Sequence, residues 1–476
     1  MKQTKIVVTI GPASEKKEII RKLVLAGANV IRLNFSHGEH TWHRSIINHV
    51  RELSHELNVP IGILADLQGP RIRTEVARTF DVKKGESIVI SDISKKELLS
   101  SHVDEKTILL DMVGIANGLQ IGHKILIEDG TKEFVVRKIE EGFVRAETMN
   151  DGTINNRKGV ILPDTQLDLP ILSEKDKQDL RFMLEEKVDF IGLSFVGSVE
   201  DIETTRKEMR SVLGEETRLP HIISKIERKE AIKNLTSIIK VSDAVMVARG
   251  DLGIEMPESE IPLLQKRIIA ESLQAMKPVI VATQMMKSMT ENPHPTRAEV
   301  SDVSNAVIDH ADAVMLSEES AAGKYPVETV AKMAEIIDKT EESPFDDLYQ
   351  ALDLNFRNEY ATMLRSVYEL AQSFKVKAIL LLSMSGFTAR LLSHFRPASK
   401  IFVATNNKTT WNQLSLVWGI DSYLFEDDND LNTFIERLMQ AVKKDEKLKI
   451  GDPVVVFHGR TPREDTLKLV GIREIR

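Results

Sequence analysis

The sequence predicts an α/β protein: a (β/α)8 TIM barrel with an inserted small β-barrel lid domain and a C-terminal α/β domain. Two observations predict the main barrel. Eight short β-branched runs alternate with amphipathic segments, and except at one gap they start about 25–35 residues apart, the length of one βα unit. The runs are apolar throughout, as strands covered on both faces are. A doubly wound open sheet is the alternative, and the number of units favours closure.

The eight candidate strands of this barrel begin near the N-terminus and end before residue 320. They are Lys5–Ile10, Val30–Asn34, Ile61–Asp66, Asp189–Phe195, His221–Ile226, Ala244–Arg249, Pro278–Thr283 and Ala313–Ser317. The segments between them have helical periodicity. Glu15–Ala26, for example, is followed by Gly27, a residue typical of helix C-termini.

The interval after the third strand is about 90 residues longer than one βα unit requires. It contains β-type runs at Ser87–Ile90, Lys124–Glu128 and Glu133–Val136. Asp129-Gly130, between the last two runs, is a hairpin signal. We therefore predict a small all-β domain inserted over the carboxyl ends of the barrel strands, where a lid over an active site belongs.

The barrel spacing ends near Ser343-Pro344, and a separate α/β domain follows. Its predicted elements are a helix at Asn358–Phe374 and strands at Ala378–Met384, Lys400–Thr405 and Pro453–His458. The predicted domains are the barrel at 1–73 and 158–345, the lid at 74–157 and the C-terminal domain at 346–476.

Composition excludes several classes of function. The chain has 476 residues, with 64 Lys+Arg against 72 Asp+Glu, and this acidic balance argues against a nucleic-acid binder. Cysteine is absent, which excludes disulfides, Cys-ligated metals and a thiolate nucleophile. There is no signal-type segment at the N-terminus, and no run approaches the ~20 apolar residues of a membrane helix. We expect a cytoplasmic protein that acts on neither nucleic acid nor membranes.

Polar side chains follow nearly every predicted strand, at the face where a (β/α)8 barrel holds its active site. These strand-end segments are Arg32–Gly38, Asp66, Ser224–Glu227, Arg249–Gly253, Ala282–Gln284 and Ser317–Glu319. Because the carboxyl ends of all eight strands meet in one cavity, we expect these residues to converge.

Glu227 and Asp251 are the candidate metal ligands, since they follow neighbouring strands. Two converging carboxylates repel each other unless a cation lies between them, and hard oxygen ligands favour Mg²⁺ or Mn²⁺. The alternative is that each carboxylate only pairs with a nearby cation such as Lys225 or Arg249.

Arg32 and Lys225 place two positive charges beside that pair, an arrangement suited to a phosphate-bearing substrate. Ion pairing at the barrel mouth is the alternative for both, and Schiff-base formation is a second alternative for Lys225. Glu227 should hold the ammonium charged and so favour phosphate binding. The run Gly250–Gly253 either presents backbone N–H groups to an anion or forms a tight turn.

Seven stretches, taken in order, resemble the pyruvate kinase family over essentially the full length of the chain. They are Thr4–Ser14, Arg32–Gly38, Ser224–Glu227, Met246–Gly253, Ala282–Met285, Pro295–Glu299 and Ser301–Val303. The resemblance implies a homotetramer that transfers the phosphoryl group of phosphoenolpyruvate to ADP, giving pyruvate and ATP in glycolysis. It also implies the same barrel, lid and C-terminal domain.

The resemblance also implies roles for individual residues. The Mg²⁺ (or Mn²⁺) ligands are Glu227 and Asp251, and the phosphate-binding cations are Arg32, Arg73 and Lys225. The substrate carboxylate meets the amides of Gly250 and Asp251, and the enolate is protonated near Thr283 and Ser317. The nucleotide contacts are Asn34, His37, Arg73 and Lys158, and the monovalent-cation site comprises Asn34, Ser36, Asp66 and Leu67.

Four departures from the family pattern affect these expectations. Leu67 stands where the family usually has Thr. Arg71 stands where K⁺-dependent members carry Glu, so we expect K⁺ not to be required; the alternative is that Arg71 points into solvent. Gly197 stands where a basic residue is common. Glu318 replaces a glycine at the barrel mouth, where it either crowds the site or faces outward.

A loop in the C-terminal domain resembles the family's sugar-phosphate effector site. The candidate effector residues are Ser383, Ser385, Gly386 and Thr388, and a Ser/Thr/Gly turn opening a helix suits a phosphate. The loop that would close this site, His458–Asp465, is short and contains acidic residues. Two other functions stay open at this point: a catalytically weak paralogue that binds a phosphorylated metabolite, and a Mg²⁺-dependent 2-oxo-acid lyase.

Overall fold

Eight parallel strands close into a barrel in the computed structural model, which describes residues 2–95, 106–128, 130–165, 170–344, 359–425, 431–458 and 469–476. The barrel strands are β1 (Lys5–Thr9), β2 (Val30–Asn34), β3 (Gly62–Asp66), β13 (Phe190–Leu193), β14 (His221–Ile226), β15 (Ala244–Ala248), β16 (Val279–Ala282) and β17 (Ala313–Leu316). Their order around the barrel is β1-β17-β16-β15-β14-β13-β3-β2. The predicted barrel is confirmed, and each strand lies within the segment predicted for it.

Helices cover the outside of this barrel. They are α1 (Lys17–Leu25), α2 (His40–Leu57), α4 (Glu174–Glu185), α5 (Val199–Leu213), α6 (Lys229–Lys233), α7 (Leu235–Val241), α8 (Arg249–Glu255), α9 (Ile261–Gln274), α10 (Arg297–Ile308), α11 (Glu318–Ala321) and α12 (Pro326–Glu341). Capping boxes open three of them: α4 begins at Ser173, α5 at Ser198 and α10 at Thr296. None of the helices in the described ranges is long and apolar enough to cross a membrane.

The inserted domain is a second, smaller closed barrel with the strand order β10-β6-β7-β4-β12-β8-β9. Its elements are β4 (Ile72–Glu75), β5 (Phe80–Val82), β6 (Ser87–Asp92), β7 (Thr107–Leu110), α3 (Ile115–Gly118), β8 (Lys124–Ile127), β9 (Lys132–Glu140), β10 (Phe143–Thr148), β11 (Gly152–Ile154) and β12 (Gly159–Ile161). Strands β8 and β9 pair antiparallel, as the hairpin prediction requires, but Asp129 itself lies outside the described residues. The exact limits 74–157 stay a prediction.

The C-terminal domain is a five-stranded sheet in the order β20-β19-β18-β21-β22, with helices beside it. Its elements are α13 (Glu359–Ser373), β18 (Ala378–Leu382), α14 (Phe387–Ser393), β19 (Lys400–Thr405), α15 (Lys408–Gln413), β20 (Ile420–Leu424), α16 (Leu431–Lys444), β21 (Pro453–His458) and β22 (Leu469–Glu474). Asn358, which we expected to begin the first helix, lies outside the described residues. So do residues 459–465 of the loop expected to close the effector site.

The C-terminal domain covers the amino ends of the barrel strands. Leu416 joins the apolar cluster in the barrel interior, beside residues such as Val7 and Phe190. The Asn412 amide donates to Asp189 Oδ1 at 3.0 Å, just before β13. One end of the barrel is therefore closed by protein, and the carboxyl ends of the strands face the lid.

Candidate active site

The strand ends converge on a cavity of about 70 Å³ at the barrel mouth, which we call the central cavity. Nine of the predicted site residues line it: Arg32, Asn34, Ser36, Asp66, Leu67, Lys225, Asp251, Thr283 and Ser317. They come from six of the eight strand ends, far apart in sequence. The fold therefore brings these nine residues together as expected, whereas Glu227 and Gly250 are not among the residues that line the cavity.

A buried network of ion pairs lies in this cavity. Arg32 donates to Asp66 Oδ2 through Nε at 2.9 Å and Nη2 at 2.5 Å, and to Thr9 Oγ1 at 3.0 Å. Lys225 Nζ lies 2.7 Å from Glu227 Oε1 and 3.4 Å from Asp66 Oδ1. These bonds fix both cationic side chains, which are less than a tenth exposed.

The charge state of Lys225 follows from this network. Burial by itself lowers the pKa of the ammonium, but the neighbouring carboxylates of Asp66 and Glu227 outweigh it and raise the pKa above its usual value. Burial likewise opposes ionisation of Asp66, yet Lys225 and Arg32 hold its pKa below the usual range. Lys225 is therefore a cation, which favours anion binding over the Schiff-base alternative.

Glu227 and Asp251 stand at the ends of the neighbouring strands β14 and β15. Burial raises the pKa of Glu227; Lys225 opposes this, and the Asp251 charge adds to it. Glu227 Oε2 also accepts a hydrogen bond from the Phe195 amide at 2.8 Å. Arg249, the other cation considered as a pairing partner, bonds Asp302 at 2.7 Å rather than Asp251. Asp251 has no ion pair among the described residues.

The run Gly250–Gly253 lies within α8 and does not form a tight turn. The Gly250 N–H donates to Thr283 Oγ1 at 2.8 Å, so the hydroxyl occupies an amide expected to meet the substrate. The same hydroxyl donates to the Ala282 carbonyl at 2.6 Å. Thr283 adopts φ +71°, a strained conformation for a β-branched residue, which suits a functional position.

Three predicted nucleotide-binding residues do not line the central cavity. His37 is exposed after β2. Arg73 lies on β4, with Nη1 3.4 Å from the Arg157 carbonyl. Lys158 pairs with Glu128 at 2.7 Å. His37 therefore lies beside the end of β2, whereas Arg73 and Lys158 lie on and beside the lid strands β4 and β12.

The structure shows the environment of each residue that departs from the family pattern. Arg71 lines the central cavity and is also exposed to solvent, and its guanidinium has no ion pair among the described residues. The Leu67 side chain is buried, and its carbonyl accepts from Ser194 Oγ at 2.8 Å. Glu318 is exposed, which is the outward-facing alternative. A Cβ at Gly197 would lie 2.8 Å from Glu230 Oε2.

The candidate effector residues gather at the start of α14, where Gly386 adopts φ +76°. Ser383 Oγ is buried and has no hydrogen-bond partner in the described part of the chain. The Ser385 carbonyl accepts from Arg218 of the barrel at 3.0 Å.

Two residues of the site were missed from the sequence. Ser194 accepts a hydrogen bond from Lys225 Nζ at 2.8 Å, and Thr9 orients Arg32. Both stand at strand ends, within or beside predicted strands. A rule that took every hydroxyl at a barrel strand end would have found them.

Comparison with known proteins agrees with this geometry. Residues 1–330 match the family model of the pyruvate kinase barrel domain, and residues 361–470 match that of the pyruvate kinase alpha/beta domain. Pyruvate kinase 2 of Synechocystis is 38% identical over 467 residues, which cover 96% of this chain and 76% of that protein. A pyruvate kinase of Staphylococcus epidermidis is 38% identical over 469 residues, covering 96% and 78%. The crystal structure of a Cryptosporidium parvum pyruvate kinase superimposes with a TM-score of 0.92 at 32% identity, covering 100% of this chain and 96% of that one.

A lidded (β/α)8 barrel with buried cations beside paired carboxylates defines the class of protein, a phosphotransferase. The chain belongs to the pyruvate kinase family. Membership implies phosphoenolpyruvate and ADP as substrates and dependence on a divalent metal ion. The comparisons support this function and do not support the lyase or the weak binding paralogue.

Proposed function

We propose that the central cavity binds phosphoenolpyruvate with Mg²⁺ and transfers its phosphoryl group to ADP. The observation that carries this proposal is the buried Lys225 ammonium, held between Asp66 and Glu227 beside Arg32. Fixed cations stabilise charge that develops on a transferring phosphoryl group at no cost in reorganisation.

Glu227 and Asp251 fit a divalent cation. The mutual repulsion that helps to raise the pKa of Glu227 is relieved when a cation binds between the two carboxylates. In the described part of the chain no third acidic or histidine side chain joins them, so a Mg²⁺ held by Glu227 and Asp251 would take its other ligands from substrate and water oxygens, as is usual for this ion. When bound, Mg²⁺ or Mn²⁺ supplies Lewis-acid stabilisation of the substrate oxygens.

Each remaining side chain has one task in this scheme. Arg32, oriented by Asp66 and Thr9, binds a phosphate oxygen, and Lys225 neutralises the phosphoryl group as it moves from the enol oxygen to the β-phosphate of ADP. The enolate that is left takes a proton at carbon and becomes pyruvate. Thr283 and Ser317 line the cavity where that proton arrives, directly or through a water molecule.

We assign the nucleotide to the side of the mouth near β2, where Asn34 and His37 lie, with Arg73 and Lys158 reaching it from the lid. The monovalent-cation position at Asn34, Ser36 and Asp66 has the Arg71 guanidinium as a neighbour on the cavity wall. Since Arg71 is unpaired among the described residues, we propose that it supplies the charge a K⁺ ion supplies elsewhere.

The test is pyruvate formation from phosphoenolpyruvate and ADP with Mg²⁺, in Na⁺ alone and with added K⁺. We expect turnover in Na⁺ alone and less than about twofold activation by K⁺, because the guanidinium is permanently charged. Arg71→Glu should make activity depend on K⁺, and Arg71→Lys should not. Large activation of the unaltered chain by K⁺ rejects the role of Arg71, whereas absence of turnover in both salts rejects the proposed function.

The proposal also includes an effector site in the C-terminal domain and the oligomeric state of the protein. Ser383, Ser385, Gly386 and Thr388 are assigned to a phosphorylated sugar effector, supported by the unpartnered buried hydroxyl of Ser383. We further propose a cytoplasmic homotetramer. Sedimentation of the purified chain, and phosphoenolpyruvate saturation with and without an added sugar phosphate, test the assembly and the effector.

A further inference from the structure

A second cavity, of about 110 Å³, lies between the lid hinge and the barrel, and we call it the hinge cavity. One wall consists of residues 70–72 and 159–162, where the chain passes between barrel and lid at strands β4 and β12. The opposite wall comes from the ends of β13, β14 and β15. On the lid side, a Cβ at Gly130 would lie 3.5 Å from Ile254 Cγ2, so lid and barrel nearly touch beside the cavity.

The proposed substrates do not account for this space. Strands β14 and β15 lie across the barrel from β1 and β2, and the nucleotide is assigned to the β2 side. The central cavity, assigned to phosphoenolpyruvate, shares only Arg71 and Asp251 with the hinge cavity. The hinge cavity is therefore distinct from the central cavity and adjoins it at Arg71 and Asp251.

The hinge strands supply an apolar surface to this compartment. Val160, Leu162 and Ile171 are buried and face it, and Phe195 completes the surface from the barrel side. A dry cavity of ~150 Å³ is large enough to bind benzene. A space of about 110 Å³ that is partly open accordingly suits a branched aliphatic group of four or five carbons.

Arg228 supplies a cation at the polar end. Its guanidinium has one ion pair, from Nη2 to Glu230 Oε2 at 3.2 Å, and no other hydrogen bond or ion pair among the described residues. The side chain is 25% exposed, so its remaining donors are accessible from the cavity. The Glu230 carboxylate that pairs with Arg228 also lies next to Gly197, where an added Cβ would be 2.8 Å from Glu230 Oε2.

Two of the three acidic side chains that line the cavity are committed elsewhere, and the third, Asp251, is one of the two proposed metal ligands. Asp201 caps α5 through hydrogen bonds from the amides of Gly197 and Ser198, both 2.8 Å. Glu255 accepts from the Lys229 amide at 2.7 Å, and burial raises its pKa. Among the described residues that line the hinge cavity but not the central cavity, Arg228 has the most unused hydrogen-bonding capacity; Arg71, which also lacks an ion pair, is shared with the central cavity.

We propose that the hinge cavity binds a compact organic carboxylate with a branched aliphatic body. The carboxylate pairs with the Arg228 guanidinium, and the body packs against Val160, Leu162 and Phe195. A ligand there holds the two hinge strands against the barrel and slows lid opening, so it lowers kcat. This effect on turnover rests on the proposed function, whereas binding itself does not.

The test is calorimetric or ligand-observed NMR titration of the full chain with 3-methylbutanoate. Acetate lacks the aliphatic body and 3-methylbutanamide lacks the charge, so both should bind at least about tenfold more weakly, a loss of roughly 1.4 kcal/mol. Arg228→Gln should weaken 3-methylbutanoate binding by a similar factor. Arg181→Gln, at an exposed arginine outside the cavity, is the matched control and should bind as the unaltered chain does.

Absence of saturable binding, or equal binding of acid and amide by the unaltered chain, overturns the proposal whether or not Arg228→Gln folds. Equal binding by a folded Arg228→Gln variant overturns it as well. In turnover assays we expect kcat to fall with added 3-methylbutanoate at saturating phosphoenolpyruvate. Competition with phosphoenolpyruvate would place the carboxylate in the central cavity and reject the hinge cavity as its site.

Discussion

The two ends of the main barrel carry similar charged residues but use them differently. At the amino end, Asp189 accepts from Arg51 and Asn412, both at 3.0 Å, and from the Ile63 amide at 2.8 Å. At the carboxyl end, Asp251 and Arg71 line the cavities without an ion pair among the described residues. The Asp189 carboxylate at the amino end is satisfied by protein groups, whereas the mouth combines paired charges with two, Asp251 and Arg71, that have no ion pair in the described part of the chain.

Carboxyl pKa values show the same difference. Burial raises the pKa of Asp189 even though Arg51 lies beside it. The pKa of Asp66 at the mouth is lowered, because two cations outweigh its burial. The amino end is therefore a structural contact that the C-terminal domain completes, while at the mouth two buried cations, Arg32 and Lys225, keep the buried Asp66 ionised.

The largest expected effect comes from removing a cation at the mouth. Lys225→Met should lower phosphoryl transfer by about 10³-fold or more, because a fixed charge on the transferring group is lost. Mg²⁺-assisted enolisation of pyruvate should be partly retained, since it does not need that cation. Pyruvate formation and solvent-hydrogen exchange into pyruvate measure the two half-reactions.

Lys229→Met is the matched control, because Lys229 is exposed immediately after β14 and should leave both half-reactions within about twofold. Equal loss of transfer and enolisation in Lys225→Met would contradict the assigned role. A circular dichroism spectrum excludes misfolding as the cause.

The corresponding change at the amino end should affect stability instead. Arg396 lies 3.4 Å from Asp312 and bonds the His310 carbonyl at 2.7 Å. Arg396→Met leaves the Asp312 carboxylate buried without its cation, at a cost of about 3 kcal/mol in the free energy of unfolding. We expect kcat/KM of the folded fraction to stay within about threefold, since the mouth is untouched.

Thermal unfolding and steady-state kinetics of Arg396→Met distinguish the two ends. Arg365→Met, at an exposed i,i+4 pair with Glu369, should be neutral in both assays. If Arg396→Met kept full stability and lost activity as Lys225→Met does, the assignment of stability to the amino end and of catalysis to the carboxyl end would be wrong.

The smallest expected effect concerns a histidine near the mouth and one near the amino end. Burial lowers the pKa of both His43 and His394 to about 4. An unfolded chain protonates these rings near pH 6.5, so each makes folding less favourable as the pH falls from about 6.5 to about 4. Within this pH range, each histidine lowers the free energy of unfolding by about 1.4 kcal/mol for each pH unit.

His43→Gln keeps a donor for the His37 carbonyl, which His43 Nε2 contacts at 3.0 Å, and removes the titration. We expect its unfolding midpoint to fall less than that of the unaltered chain between pH 7 and pH 5.5. His394→Gln should behave in the same way, whereas His55→Gln, at an exposed position, should follow the unaltered chain. A steeper fall for either buried variant would contradict the assignment.

Much of the fold could be predicted because strand and helix periodicity is local. The eight barrel strands were predicted to within a few residues, since β-branched runs separated by whole βα units leave few alternatives. Strands β4, β5, β7, β10, β11 and β12 of the lid, and β20 and β22 of the C-terminal domain, were not. Most of these are short strands of three to five residues, which carry little local pattern, so pairing with a neighbouring strand defines them.

The sequence by itself determined which kinds of group stand at the strand ends: the cations Arg32 and Lys225, the carboxylates Glu227 and Asp251, and the absence of cysteine. The pairing of Lys225 with Glu227 was also expected from the sequence, but only the tertiary structure decided that Lys225 pairs with Asp66 as well and that Arg249 pairs with Asp302. It likewise placed Arg71, an exposed residue without an ion pair in the described part of the chain, on the wall of the central cavity. The physical reason is that side-chain type is encoded locally, whereas an ion pair depends on distances of a few ångströms between strands brought together by barrel closure.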